Sequence, residues 1–186
     1  LLPNVDSDIV LSSFLLETHC MRQVFRMRPW IFPPEPQAIQ EIFVRYGVIR
    51  DFAKGAVMEH GGKGDTAQVG FLTKGLATFS CLDVQSQTHI FALLAPGRAL
   101  GDLDALNPHR VAVQVDFIRP SSVLIVPRAR FLESLRASVE MMEIYADLAI
   151  LKQESALEGM LANFTLDLEA RLRVFLLSAI TSFAEL

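Results

Sequence analysis

The sequence of 186 residues contains little cysteine, with Cys20 and Cys81 as its two thiols. Two cysteines cannot form a disulfide framework, and their separation matches no spacing typical of a zinc site. An iron–sulfur cluster needs about four cysteine ligands and is therefore not expected. We expect two thiols in a reducing compartment, and hence a cytoplasmic protein.

Long apolar runs are also missing. The longest, over 90–95 and 123–126, have the length of a β-strand and fall well short of the ~20 residues that span a bilayer. The amino end begins at Leu1 without an initiator methionine and without the features of a signal peptide, so we expect a trimmed chain. The sequence predicts no membrane partner.

Positive charge is not in excess, since the formal net charge is −4. A domain that binds the phosphate backbone of nucleic acids usually has a basic face, so we do not expect residues 1–186 to bind nucleic acid. Hydrophobic residues make up 51% of the chain and charged residues 20%, which excludes a disordered chain. The length predicts one domain, or one domain with an appendage.

The first part of the chain has a helical pattern. A helix is predicted over 7–28, with Ser7 as its N-cap and Pro29 at its end. A proline-rich connection then leads to a second short helix over 37–46.

From residue 48 to residue 127, glycine and proline recur every 8–12 residues and separate short β-rich segments. Strands are predicted at 48–52, 56–59, 69–72, 76–81, 89–94, 111–117 and 123–126. Because helices do not alternate with these strands, a doubly wound α/β sheet is excluded. The pattern predicts an antiparallel sandwich, barrel or jelly roll.

After residue 127 the chain is helical again, with helices predicted over 128–136, 138–163 and 166–180. The long middle helix carries two apolar faces. One follows the alternating four-three spacing of a coiled-coil seam, broken at Glu143: Val139, Ala146, Ile150, Gln153, Leu157, Met160 and Phe164. The other comprises Met141, Ile144, Tyr145, Leu148 and Leu151. Such a helix is expected to pack against its own β domain and a second copy of itself, although burial inside one monomer remains an alternative.

The segment 96–112 combines turns, charge and strand pattern. Gly101 permits close approach of backbone to a ligand, and a short helix after it could receive an anion at its first N–H groups. Arg110 could contact a phosphate, and Asp102 could accept hydrogen bonds from sugar hydroxyls. The alternative is that these acidic residues satisfy backbone groups in a tight turn.

Several motifs in this order resemble the cyclic-nucleotide-binding fold of the Crp/Fnr transcription regulators. They lie at 52–57, 64–65, 69–76, 91–102 and 123–131. The resemblance covers roughly residues 29–180 and implies an α+β fold, an antiparallel β jelly roll (double-stranded β-helix) flanked by N-terminal helices and a long C-terminal dimerisation helix. The implied parts are an N-terminal extension at 1–36, a jelly-roll domain at 37–136, a dimerisation helix at 137–164 and the start of a DNA-binding domain at 165–186.

The resemblance also implies a binding site. Gly101 and Asp102 match a Gly–Glu pair whose glutamate takes the ribose hydroxyl, and Leu103 follows them. Arg110 matches the phosphate-binding arginine and Val111 the residue after it, while Ser155 would offer a hydroxyl to the base. Asp102 is one methylene shorter than the family's glutamate, so the effector is left open as a cyclic nucleotide, another small molecule or none.

Some members of the family hold haem, for which four histidines are candidates by residue type alone: His19, His60, His89 and His109. A lone histidine is more often a surface residue, so haem is not expected. The sequence contains no triad spacing and no HExxH motif, and nothing pairs a nucleophile with a base. We therefore do not expect an enzyme.

The helix over 166–180 resembles the first helix of the family's DNA-binding domain, and the recognition helix would follow residue 186. The sequence thus predicts the effector-sensing and dimerisation portion of a bacterial Crp/Fnr-like regulator. It would form a homodimer through 139–164, take a small-molecule effector, and bind DNA through a C-terminal region absent from this chain. The alternative is a stand-alone ligand-binding or interaction module of the same fold without DNA binding.

Overall fold

The computed structural model describes residues 25–26, 28–58, 67–82, 84–107 and 113–184. Within them, the chain forms eight strands and five helices, of which one precedes the strands, one interrupts them and three follow them. The strands are β1 (Val48–Phe52), β2 (Val57–Met58), β3 (Gln68–Lys74), β4 (Ala77–Leu82), β5 (Thr88–Leu94), β6 (Arg98–Leu100), β7 (Gln114–Phe117) and β8 (Ser121–Pro127). The helices are α1 (Gln37–Tyr46), α2 (Asp102–Leu106), α3 (Arg128–Leu135), α4 (Val139–Thr165) and α5 (Leu168–Ala184).

The strands form two antiparallel four-stranded sheets with the orders β1-β8-β3-β6 and β2-β7-β4-β5. Successive strands mostly change sheet, which is the jelly-roll arrangement and confirms the predicted fold class. Alternation explains the packing: Val115 and Phe117 of β7 are buried between the sheets, whereas Gln114 and Asp116 are half-buried. The apolar side chains of the two inner faces form one core between the sheets.

A second core lies between the outer face of the first sheet and the helices. Phe43 of α1 stacks on Phe71 of β3 with ring centroids 5.2 Å apart, and Phe131 of α3 meets Tyr145 of α4 edge to face at 5.9 Å. Leu148, one turn further along α4, is buried in the same core. The inner face of α4 is therefore fixed to the jelly roll.

Residues 28–35 form a segment without helix that begins with a turn, in which Ile31 N donates a 3.0 Å hydrogen bond to the Arg28 carbonyl; we call this segment the strap. The strap lies beside β5, where Ile31 forms a parallel bridge with Leu93. It also lies against α4 and α5, since Trp30 packs near Gly159 of α4 and meets Phe175 of α5 at 6.3 Å. Three layers of the fold thus meet at this short segment.

The helix α5 begins after a turn in which the Asp167 carboxylate accepts a hydrogen bond from Ala170 N. From there it folds back beside α4, because Val174 of α5 and Ala162 of α4 share an apolar cluster with Phe25. The two helices form a hairpin with the strap held against it.

Most predicted elements are confirmed within a few residues at each end. Strand β6 was missed, because its three residues were read as part of the turn region. The last helix was predicted over 166–180 and spans Leu168–Ala184. The helix predicted over 7–28 lies almost wholly outside the described residues, and its described residues Phe25, Arg26 and Arg28 are not helical. The domain boundaries remain predictions.

The two predicted faces of α4 differ in burial as expected. Tyr145 and Leu148 are buried on the inner face, while Ile150, Leu157 and Phe164 of the seam are exposed in the single chain. The assignment of Leu151 to the inner face was wrong: this side chain is 39% exposed, because the contact with the jelly roll passes instead through Lys152.

Candidate functional site

The site is built on the turn between β6 and α2. Gly101 has φ 76° and ψ 10°, a left-handed conformation that costs glycine little, and it is the N-cap of α2. This turn points the first residue of α2, Asp102, toward the inner face of α4. Although acidic, Asp102 is only 4% exposed.

The Asp102 carboxylate is held by two groups of α4. Its Oδ2 accepts a hydrogen bond of 2.7 Å from Lys152 Nζ and one of 2.8 Å from the hydroxyl of Tyr145. Tyr145 and Lys152 are seven residues apart, two helical turns, so both project from the same face of α4. The turn after β6 is therefore tied to the middle of the long helix.

A second carboxylate reaches the same lysine from the strap. Glu35 Oε1 lies 2.7 Å from Lys152 Nζ and accepts a 2.8 Å hydrogen bond from Ala99 N of β6. Its other oxygen, Oε2, is buried and has no hydrogen-bond partner in the described part of the chain. We call Glu35, Asp102, Tyr145 and Lys152 the charged cluster; it joins the strap, the β6–α2 turn and α4.

The groups of the charged cluster shift one another's protonation. Burial raises the pKa of the Asp102 carboxyl, but the charge and hydrogen bond of Lys152, with that of Tyr145, outweigh burial and hold this pKa below its ordinary value. Burial lowers the pKa of Lys152, and the two carboxylates outweigh it and raise that pKa. Asp102 and Lys152 therefore form an ion pair.

Glu35 behaves differently. Burial raises the pKa of its carboxyl above the ordinary 4.5, and the negative charge of Asp102 adds to the rise, against the opposing effect of Lys152. One ammonium thus fully compensates one carboxylate, and the second carboxylate takes up a proton more readily.

Beside the charged cluster lies a cavity of about 10 Å³. It is lined by Phe32, Phe79, Leu94, Ala99, Gly101, Asp102, Leu103 and Asp104. This volume is close to the ~10–15 Å³ that one water needs and far below the roughly 300 Å³ or more of ligand pockets. The cavity among the described residues therefore has room for about one water, and residues 108–112 of the predicted site lie outside the described part of the chain.

The structure brings only part of the predicted site together. Gly101, Asp102 and Leu103 line the same cavity, whereas Arg110 and Val111 lie outside the described residues. The role expected for the Ser155 hydroxyl toward a base stays a prediction, and in this structure the hydroxyl contacts protein groups. Ser155 is fully buried, and its Oγ lies 2.9 Å from the carbonyl oxygen of Arg28 and 3.0 Å from that of Ile31. Its hydroxyl binds the strap.

Sequence reasoning missed Glu35 and Lys152 and read Tyr145 only as an apolar residue. One signal was present: Lys152 follows Leu148 by four residues and precedes Ser155 by three, so it lies on the inner stripe of the helix. A lysine on a buried stripe needs a buried anion. Glu35, between Pro34 and Pro36, gave no comparable signal.

No group of three or more histidine, cysteine or acidic side chains that could hold a metal ion occurs among the described residues. Of the haem candidates, only His89 is described, and His19, His60 and His109 lie outside, as does Cys20. None of the described helices is both long and apolar enough to cross a membrane.

Sequence comparisons find no match, either among family models or among curated proteins. Solved structures do share the fold. A protein described as a transcriptional regulator of the crp/fnr family from Eubacterium rectale has a TM-score of 0.63 at 12% identity, covering 80% of this chain and 69% of that one. The c-di-GMP responsive global regulator CLP of Xanthomonas campestris has a TM-score of 0.57 at 9% identity, covering 71% and 66%.

The catabolite activator protein of Thermus thermophilus has a TM-score of 0.54 at 20% identity, and the match covers 69% of this chain and 61% of that one. The chain thus spans less than two thirds of the length of either this protein or CLP. At these identities the likeness concerns the fold. The expected similarity to the sensor part of Crp/Fnr regulators is confirmed at that level.

Proposed function

We propose that the chain is the effector-sensing and dimerisation part of a Crp/Fnr-like transcription regulator. The jelly roll would sense a small molecule, and α4 would carry the response to a second copy of the chain. The proposed role is regulatory and requires no catalytic step. The likeness of fold to three transcription regulators supports this role, and the arrangement of the charged cluster supports the coupling.

The observation that carries the proposal is the ion pair between Asp102 and Lys152. Asp102 stands at the position that the resemblance assigns to effector binding, and Lys152 belongs to the helix assigned to dimerisation. Because both groups are buried, any change in the partner of one changes the electrostatic free energy of the other. A molecule that displaces Lys152 or Tyr145 from Asp102 would therefore move α4.

The second face of α4 supports dimerisation through 139–164. Val139, Ile150, Leu157 and Phe164 are between 56% and 83% exposed in the single chain, although all are large and apolar. A stripe of this kind on a coiled-coil spacing is stabilised when a second helix covers it. We assign this stripe to the homodimer interface.

We further propose that the effector is a small molecule other than a cyclic nucleotide. The Asp102 carboxylate and the Ser155 hydroxyl, to which the resemblance gives the ribose and the base, bind protein groups in this chain. Arg110 remains the candidate cation for an anionic effector. DNA binding would belong to a region that follows residue 186 in the full-length protein, which would act in the cytoplasm.

The experiment is a screen of small metabolites, including cyclic AMP and cyclic GMP, by thermal shift and calorimetric titration of the wild-type chain. We expect saturable binding of a compound outside the cyclic nucleotides, and at least about tenfold weaker binding to Asp102→Asn and Arg110→Ala. Asp51→Asn, which changes an exposed carboxylate of β1, is the matched control. Tight binding of a cyclic nucleotide would contradict the effector assignment. Equal binding of the effector to all variants would contradict the site.

A second experiment tests the regulatory role with the protein of the complete reading frame. Selection of genomic DNA fragments, followed by gel-shift titration, should yield a specific site for the full-length protein and none for residues 1–186. If the complete protein binds no specific DNA, the alternative of a stand-alone ligand-binding module replaces the proposal.

A further inference from the structure

The strap contacts the β sheets, α4 and α5, which are the parts of the fold that the proposed function involves. On the sheet side, Leu93 N donates a 2.7 Å hydrogen bond to the Trp30 carbonyl, and Arg98 Nε donates one of 3.0 Å to the Phe32 carbonyl. At its carboxyl end, Glu35 places its carboxylate in the charged cluster, 2.7 Å from Lys152 Nζ. The strap is therefore anchored at the candidate sensing site.

The other end of the strap contacts the last helix. The indole of Trp30 meets the ring of Phe175 edge to face at 6.3 Å, and the guanidinium of Arg28 donates a 3.1 Å hydrogen bond to the Ser182 hydroxyl. Ser182 is fully buried and Ser178, one turn earlier, is 6% exposed. The inner face of α5 thus rests partly on the strap.

Between these ends, the strap follows the inner face of α4. The Ser155 hydroxyl lies within hydrogen-bond distance of the carbonyl oxygens of Arg28 and Ile31. One turn further along α4, Gly159 gives Trp30 its space, because a Cβ at residue 159 would lie 2.8 Å from Trp30 Cδ1. The contacts at Lys152, Ser155 and Gly159, on one face of α4, keep the strap in register with this helix.

The strap is also held in a conformation that it would not adopt alone. Trp30 has φ 62°, which is the left-handed region and unfavourable for a bulky side chain. Such a backbone persists only where the surrounding contacts over-determine it. Loss of contacts at either end of the strap therefore favours a different backbone conformation at Trp30.

We propose that the strap couples the charged cluster to α5. When Glu35 leaves Lys152, the strap loses its ion pair with α4, Trp30 relaxes from the left-handed conformation, and α5 loses the indole and the guanidinium on which it rests. In the other direction, displacement of α5 weakens the contact of Glu35 with Lys152, as reciprocal coupling requires. Only the use of this coupling in signalling rests on the proposed function.

Hydrogen exchange of the complete chain, without effector or DNA, tests the coupling. Glu35→Ala removes the ion pair of the strap with Lys152 and the hydrogen bond from Ala99 N, while Asp102, Tyr145 and Lys152 keep one another as partners. We expect the amides of α5 to exchange at least about tenfold faster than in wild type, with the amides of β3 and β8 unchanged as internal reference. Glu41→Ala, on the exposed face of α1, is the matched control and should leave α5 unchanged.

A variant at the opposite end makes the test independent of how well Glu35→Ala folds. Phe175→Ala should raise exchange of the strap amides at least about fivefold and shift the fluorescence of Trp30, the single tryptophan of the chain, toward that of an exposed indole. Leu176→Ala, its neighbour on the exposed face of α5, should change neither.

Two results would overturn the coupling. One is faster exchange of the amides of residues 30–32 in Glu35→Ala with α5 unchanged, and the other is wild-type exchange of the strap amides in Phe175→Ala. Because no effector or DNA enters these measurements, failure of the coupling leaves the proposed function standing. Failure of effector or DNA binding likewise leaves the coupling standing.

Discussion

The side chains of Asp102 and Lys152, fifty residues apart in the chain, meet in the interior with 2.7 Å between Oδ2 and Nζ. Asp102 begins the short helix after β6, and Lys152 lies in the middle of the 27-residue helix α4. Both are almost fully buried. The contact thus fixes the position of α4 relative to the turn assigned to effector binding.

Replacing Lys152 by methionine should strongly destabilise the chain. The variant leaves the carboxylates of Glu35 and Asp102 buried without a cation, and breaking a buried pair in this way costs about 3–5 kcal/mol. Urea unfolding at pH 7 measures the loss. Lys74→Met, an exposed lysine in β3, is the control and should change the free energy of unfolding by less than about 0.5 kcal/mol.

The same variant has a distinctive pH dependence. Without the ammonium, burial and mutual repulsion raise the pKa of both carboxyls, so the folded form of Lys152→Met binds protons more readily than the unfolded chain. Its free energy of unfolding should then rise as the pH falls from 7 to 5. A Lys152→Met variant as stable as wild type at pH 7 would contradict the assignment of a buried ion pair.

The raised pKa of Glu35 predicts an effect of pH on the wild type. A carboxyl whose pKa is higher in the folded state contributes stability that is full below the unfolded value, and loses it as the pH rises through the folded value. Glu35→Gln has no such titration. The wild type should therefore lose stability relative to Glu35→Gln as the pH rises above about 4.5, the ordinary value of the carboxyl. Unfolding titrations of both proteins at several pH values measure this, and a constant difference would be the contrary result.

The jelly roll was predictable from the sequence because its signals are local. Alternation of apolar residues marked β7, and glycines at the corners, such as Gly55 and Gly97 with their positive φ, divided the strands. Strand β6 was not predictable in the same way. Its three residues are held by pairing with Gly70–Leu72 of β3, a long-range contact that leaves no periodicity in the sequence.

The candidate site was predictable only where it lies in one segment. Gly101 and Asp102 follow each other and matched a motif, whereas Glu35 and Lys152 come from elements 67 and 50 residues away in sequence from Asp102. Their meeting depends on how the strap and α4 pack on the sheet. The sequence predicted Asp102 as a ligand-binding residue, whereas in the folded chain its carboxylate pairs with Lys152.

A methyl group at residue 159 should conflict with the strap. Gly159→Ala gains about 1 kcal/mol in helix propensity but places Cβ 2.8 Å from Trp30 Cδ1, and overpacking costs about 1–3 kcal/mol. We expect net destabilisation in the wild-type background. With Trp30→Gly the space opens and the left-handed backbone is relieved, so Gly159→Ala should then stabilise. A double-mutant cycle by urea unfolding measures this, and additive effects would argue against the contact.

The exposed seam of α4 predicts a charge-sensitive dimer. Leu157→Lys would bury two ammonium groups near the two-fold axis and should raise the dimer dissociation constant at least about 100-fold in sedimentation experiments. Leu82→Lys is the matched control, because Leu82 is 55% exposed in β4 and Leu157 is 61% exposed. An unchanged dimer in Leu157→Lys would place the interface elsewhere.

The most direct measurement is the dimer dissociation constant of Asp102→Asn against wild type, by sedimentation equilibrium at pH 7. Asp102 belongs to the inner side of the fold and the seam to the outer face of α4, so only a shift of α4 connects them. With the ion pair to Lys152 lost, coupling predicts a dissociation constant at least about fivefold higher. Asp51→Asn should match wild type. If Asp102→Asn also matches wild type, the candidate sensing site and the proposed dimer interface on α4 are not coupled.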